Sequence, residues 1–120
     1  ADVHDGEFVR FHVRVGMELG ADIIKTDWPG SAEALKRIAA ETPVPVMLAG
    51  GPSNGSDRGT LELVHQIVGA GAAGILFGRA IFQAAEPVAV MRACRAIIHD
   101  GVSVDEAIEG AGFRKRPAAA

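Results

Sequence analysis

The sequence predicts an α/β fold of about three parallel strands with flanking helices, and three observations carry that expectation. Apolar runs ending in polar or glycine chemistry recur about one strand–helix unit apart: Ala21-Asp22-Ile23-Ile24-Lys25-Thr26, Pro45-Val46-Met47-Leu48-Ala49-Gly50-Gly51 and Gly74-Ile75-Leu76-Phe77-Gly78-Arg79. Helix-spaced segments separate the runs. Val44 to Ala49 is almost continuously apolar, the pattern of a strand covered on both faces and therefore of a parallel one.

Taken in order, Phe8, Phe11, Val15 and Leu19 fall at steps of three and four, which lines one face of a helix from about Asp5 to Leu19. Gly20 sits where that helix should stop. A strand is expected near residues 21–25. Gly30-Ser31 opens a second helix with Leu35, Ile38 and Ala39 inward and Glu33, Lys36 and Arg37 in water, and Pro43 ends it. The second strand is placed near residues 44–49. Thr60 is expected to cap a third helix carrying Leu61, Val64 and Val68, closed by Gly69 to Gly71. The third strand is placed near residues 73–77, followed by a short piece at Ala80-Ile81-Phe82. Pro87 suits the first position of a long helix whose Val90, Met91, Cys94, Ile97 and Ile98 face inward and which Gly101 stops. Ser103-Val104-Asp105-Glu106 has the capping-box pattern of a last short helix. Residues 1–112 then form one domain and residues 113–120 a flexible tail.

Composition narrows the function classes. With 120 residues, 48% of them hydrophobic, the chain has material for one real core. A net charge of −3 and a pI near 5.8 argue against a nucleic-acid surface, and the basic triplet Arg114-Lys115-Arg116 reads as a solvated end. A single Cys94 forms no internal disulfide. Neither CxxC nor His/Cys ligand spacing is present, and His4, His12, His65 and His99 are scattered, so no metal is expected. That cysteine usage favours a reducing compartment, and the cytoplasm is the expected location. No apolar run approaches the ~20 residues of a membrane span, and Ala1 to Asp5 lacks the basic and apolar regions of a secretion signal.

The strand ends carry the chemistry. Lys25 directly follows Ile23-Ile24, so its amine should emerge at the carboxyl end of a buried strand, where desolvation favours the neutral, nucleophilic form. Its alternative is a snorkelling surface lysine. The other lysines, Lys36 and Lys115, lie on a wet helix face and in the tail. Gly50-Gly51 has two readings, a turn that needs positive φ and a backbone cradle for phosphate. Gly78-Arg79 favours the second, because a phosphate is commonly held between strand-end loops and the first turn of a short helix, and Arg79 adds a permanent positive fork. Its competing role is a surface ion pair with Glu86 or another acid. Asp22 is read as structural. Asp27 and Trp28 follow the lysine in a loop where residues touch substrate or pack an indole.

These residues carry a resemblance. Gly20-Ala21-Asp22-Ile23-Ile24-Lys25-Thr26, Pro43-Val44-Pro45-Val46 running into Ala49-Gly50-Gly51-Pro52, and Gly78-Arg79-Ala80-Ile81-Phe82-Gln83 resemble the carboxyl-terminal half of a class I aldolase of the DeoC/LacD group. That group includes archaeal-type fructose-bisphosphate aldolases. Pro87 to Glu109 resembles the last helix of the related phospho-dione thiolase. The likeness runs from about Gly6 to Glu109 and implies the carboxyl-terminal part of a (β/α)8 TIM barrel, since a full barrel takes ~250 residues.

The resemblance implies that Lys25 is the Schiff-base lysine of a carbon–carbon lyase, acting on a phosphorylated ketose such as fructose 1,6-bisphosphate without metal or other cofactor. It implies that Gly50, Gly51, Gly78 and Arg79 bind the substrate phosphate and that Asp27 and Trp28 lie in a substrate loop. Ala49 stands where some members have serine, Asp27-Trp28 stands where aromatic residues, often tyrosine, are usual, and the chain has no tyrosine for proton transfer. The expected partners are a small phosphorylated carbonyl compound and a second copy or a complementary barrel half, with no nucleic acid or membrane. A 3-hydroxy-5-phosphonooxypentane-2,4-dione thiolase using the same lysine, and a noncatalytic half-barrel binding phosphate or a partner chain, stay open.

Overall fold

Side-chain caps set where the first three helices begin in this computed structural model, which describes residues 2–50 and 55–119. Asp5 accepts from the Phe8 N–H and opens α1 (Gly6–Glu18), and Ser31 accepts from the Ala34 N–H and opens α2 (Ala32–Glu41). Ser56 accepts from the Gly59 N–H and opens α3 (Asp57–Gly69). That helix therefore starts before Thr60, the expected cap. Thr60 is instead buried within the helix, its hydroxyl donating to the Ser56 carbonyl at 3.2 Å. Three short strands lie between and after these helices: β1 (Ile24–Thr26), β2 (Val46–Ala49) and β3 (Gly74–Leu76). Then come α4 (Arg79–Phe82), α5 (Pro87–Arg95), a π-helical turn (Ala96–Asp100) stopped by left-handed Gly101, and α6 (Val104–Gly110) with its capping box formed.

The strands make one parallel sheet in the order β1-β2-β3. Ile24 pairs with Val46, Lys25 with Met47 and Thr26 with Leu48; Met47 pairs with Gly74, Leu48 with Ile75 and Ala49 with Leu76. Paired residues share a face and successive residues alternate. Ile24, Val46 and Leu48 are buried against Val9 and Val13 of α1, Leu35 and Ile38 of α2 and Ile67 of α3. The opposite face carries Lys25, Met47, Ala49 and Leu76, exposed or half-buried, with Ile23 exposed just before β1. The expectation of a strand covered on both faces is therefore corrected. β2 is apolar throughout, yet among the described residues the helices cover one side only.

A second core forms between helices, from Leu61 and Val64 of α3, Val90, Ala93 and Cys94 of α5, Ile97 of the π-helical turn, and Ala107 and Ile108 of α6. Ile75 and Phe77 pack against both cores and join them. Burial pushes the Cys94 thiol up to about 11, so it is neutral near pH 7 and part of the packing.

The buried stripe of α1 also differs from its periodicity. Phe11, Val15 and Leu19 are exposed, Phe11 to 64% and Leu19 to 83%, while Val9 and Val13 are buried. Gly16 explains the choice: a Cβ there would stand 2.9 Å from Ile24 Cδ1, so the face with the smaller residues can approach β1 closely. Met91 of α5 is likewise exposed rather than inward. At the carboxyl end, the Arg114 and Lys115 N–H groups donate to the Glu86 carboxylate at 2.8 and 3.3 Å, and Phe113 packs against the second core. Among the described residues no helix is long and apolar enough to cross a membrane.

Candidate active site

Lys25 is the middle residue of β1 and lies on the bare face of the sheet, beside Met47. It is exposed. The expectation of a desolvated amine is not met, because the helices that would shield a side chain all pack on the other face. Among the described residues it has no acidic partner. Gly50 closes β2, three residues past the register partner of Lys25 and so about 10 Å further along the strand direction. Gly78 follows β3 by two residues. Lys25, Gly50 and Gly78 thus come from three adjacent strands, the two glycines just past the carboxyl ends of theirs.

Neither described glycine is there for a left-handed backbone: Gly50 and Gly78 are absent from the positive-φ positions, and Gly78 has φ −110° as the cap of α4. Gly50 is required by proximity. A Cβ at that position would stand 2.8 Å from Cδ1 and 3.0 Å from Cγ of the Phe77 ring. Gly50→Ala should therefore lower stability by about 1–3 kcal/mol through overpacking, and Phe77→Leu in the same chain should recover part of that loss. Urea unfolding of the two single variants and the double variant checks the coupling. Gly51 lies outside the described residues.

Arg79 is exposed at the start of the four-residue α4 and, among the described residues, forms no ion pair. Glu86, its alternative partner, holds the backbone of the tail instead. Arg79 lines a cavity of about 310 Å³ together with Gly55, Ser56, Asp57, Gln83 and Pro117. Burial, and then the nearby Glu86 carboxylate, raise the Asp57 carboxyl above its ordinary range. Among the described residues, the segments after β2 and β3 therefore meet around a space lined by a guanidinium that forms no ion pair.

The loop pair after β1 divides. Trp28 is half-buried against the first core, and its carbonyl is 2.8 Å from His4 Nδ1, so it packs the loop. Asp27 is exposed and, among the described residues, has no bonded partner. Asp22 is exposed as well. Among the described residues no group of three or more His, Cys, Asp or Glu side chains is placed to hold a metal. Met47, beside Lys25 across the strands, was not among the expected site residues, because its place follows only from the register.

A parallel strand–helix sheet with a lysine on a strand and glycines past the next two strand ends has the framework of part of a (β/α) barrel. The chain belongs to the DeoC/LacD aldolase family, whose family model, described as DeoC/LacD family aldolase, matches residues 1–84. It is 41% identical over 112 residues to a 2-amino-3,7-dideoxy-D-threo-hept-6-ulosonate synthase from Halobacterium salinarum, covering 93% of this chain and 42% of that protein. It is 39% identical over 107 residues to a 3-hydroxy-5-phosphonooxypentane-2,4-dione thiolase from Shigella flexneri, covering 89% and 41%. In structure it is similar to an archaeal fructose 1,6-bisphosphate aldolase, with a TM-score of 0.79 at 28% identity over 84% of this chain and 40% of that one. The chain spans about two fifths of the length of these relatives.

One expectation is overturned. The likeness was placed in the carboxyl-terminal half only, but the family match starts at residue 1 and the structural matches cover 82–93% of the chain. Likeness to the family spans almost all of this chain and assigns it no carboxyl-terminal place. The physical reason is that parallel strand–helix units repeat one local geometry, so three of them do not reveal their position in a series.

Proposed function

We propose that this chain carries the Schiff-base lysine of a class I aldolase acting on a phosphorylated carbonyl compound, and that Lys25 is that lysine. The single observation that carries the proposal is its place: the middle of a strand, on the bare sheet face, with glycine turns past the ends of the next two strands. The Lys25 amine attacks the ketone carbon, and loss of water leaves an iminium. The iminium draws in the electron pair of the breaking carbon–carbon bond, a hydroxyl proton passes to a base, and an aldehyde leaves. Protonation of the enamine and addition of water return the ketone and the free amine. We assign Gly50, Gly51, Gly78 and Arg79 to the phosphate and Asp27 to the substrate loop; Trp28 serves that loop by packing it.

The relatives narrow the substrate class. One of them, a 2-amino-4,5-dihydroxy-6-oxo-7-(phosphonooxy)heptanoate synthase from Streptomyces griseus, and the dione thiolase both carry in their names an oxo carbon next to a phosphonooxy-bearing carbon. Dihydroxyacetone phosphate is a small ketone with that unit. The test incubates the protein with dihydroxyacetone phosphate or with hydroxyacetone and reduces with borohydride. Adduct with the phosphate ester at concentrations where hydroxyacetone gives none supports the proposal; equal adduct overturns the phosphate assignment. The Halobacterium relative, whose name carries no phosphate, makes that second arm informative. Cleavage of fructose 1,6-bisphosphate against acyl transfer from the phosphorylated dione then separates lyase from thiolase.

The bare sheet face and the exposed stripe of α1 also favour self-association in a reducing, cytoplasmic setting. Phe11, Val15, Leu19 and Ile23 leave exposed apolar surface, and among the described residues β1 is an edge strand of the sheet. Sedimentation should show a species heavier than the monomer, and Phe11→Lys with Leu19→Lys should shift it toward the monomer; a monomer in the unaltered chain contradicts this.

A further inference from the structure

Lys25, Met47 and Gly74 form one row across the three strands, because Met47 is the register partner of both of the others. The row lies on the face opposite the helices. Its middle side chain leans to one side: a Cβ placed at residue 74 would stand 3.0 Å from the Met47 methyl carbon and 3.6 Å from its sulfur. The thioether therefore rests on the bare backbone of β3 and away from Lys25. A glycine inside a strand costs stability and commonly marks a place where something must approach the backbone closely. Here what approaches is Met47 itself.

We propose that Met47 forms an apolar floor beside the Lys25 amine, and that Gly74 provides the space that keeps its thioether off the lysine. The inference rests on reading Lys25 as the reacting amine. With residue 74 bare, the methionine lies flat and the row forms a low apolar floor on which the carbon chain of a ketone can lie while its carbonyl meets the amine. With a side chain at residue 74, the flexible methionine has one open direction within the row, toward Lys25. It would then cover the lysine arm and withdraw the amine from water, which disfavours the ammonium form.

The test needs no substrate. The full chain is labelled with acetic anhydride across a pH series, and the rate at Lys25 is read by mass spectrometry against Lys36 and Lys115 as internal standards. Gly74→Val should slow labelling of Lys25 several-fold at saturating pH and move its midpoint to lower pH, leaving Lys36 and Lys115 unchanged. Met47→Ala added to Gly74→Val should restore both readings. A Lys25 rate and midpoint unchanged by Gly74→Val overturns the proposal, as does a change that Met47→Ala does not relieve. If Gly74→Val loses its cooperative melt, Gly74→Ala is read in the same way for a smaller effect of the same sign. Failure of borohydride trapping in the unaltered chain would count against the aldolase reading, whereas the acetylation result judges the role of Met47.

Discussion

Lys25→Met should abolish turnover of a phosphonooxymethyl ketone, lowering kcat by at least about 10³-fold as expected when a covalent nucleophile is removed. Methionine keeps the length and the apolar stem of the side chain but has no amine to attack a carbonyl. Because Lys25 is exposed on the bare sheet face, its replacement removes little buried contact, and the melting temperature should stay close to that of the unaltered chain. Loss of activity with retained stability is the signature of chemistry rather than folding. Arg79→Ala should act differently, raising KM for the phosphate ester more than it lowers kcat, because an anion contact is made in the ground state as well as in the transition state.

Leu48→Ala should be the most damaging packing change. Leu48 is fully buried in the central strand, in register between Thr26 and Ile75, on the face packed by helices α1 to α3. Removing its branched end costs about 2–5 kcal/mol, a large share of the roughly 5–15 kcal/mol by which domains are stable. Urea unfolding should show a lower midpoint with little change in slope. Its neighbour supplies the control. Met47 lies on the other face of the same strand and is half-buried, so Met47→Ala should cost distinctly less. Equal costs would mean that the sheet is covered on both sides, against the one-sided architecture described above.

The parts of the fold that depend on local chemistry were legible in the sequence. Apolar runs located the three strands to within a few residues, Ser31 and Ser103 marked helix starts, and Gly101 marked a stop, since each acts through neighbours within one helical turn. Features set by distant residues were not. Phe11 and Leu19 have the spacing of a core stripe, but the inward face of α1 was decided by the close approach of Gly16 to Ile24, which no periodicity contains. The apolar run of β2 could not show that helices would cover only one of its faces. Gly50 reads as a turn glycine until Phe77 is seen against it.

The site follows the same division. Lys25 and the strand-end glycines stand out as residue types in particular places, whereas the exposure of the amine depends on how many layers cover the sheet. Met47 became visible only through strand register, which links residues that are 22 and 27 positions away in sequence. The packing of Trp28 against the first core and the His4 contact to its carbonyl likewise depend on residues distant in sequence.

The most direct measurement is peptide mapping after borohydride reduction in the presence of dihydroxyacetone phosphate. With three lysines in the chain, the assignment is unambiguous. The predicted result is a mass gain on the peptide containing Lys25, with the peptides of Lys36 and Lys115 unmodified. A folded sample that forms no adduct, or that carries it on Lys36 or Lys115, would contradict the account.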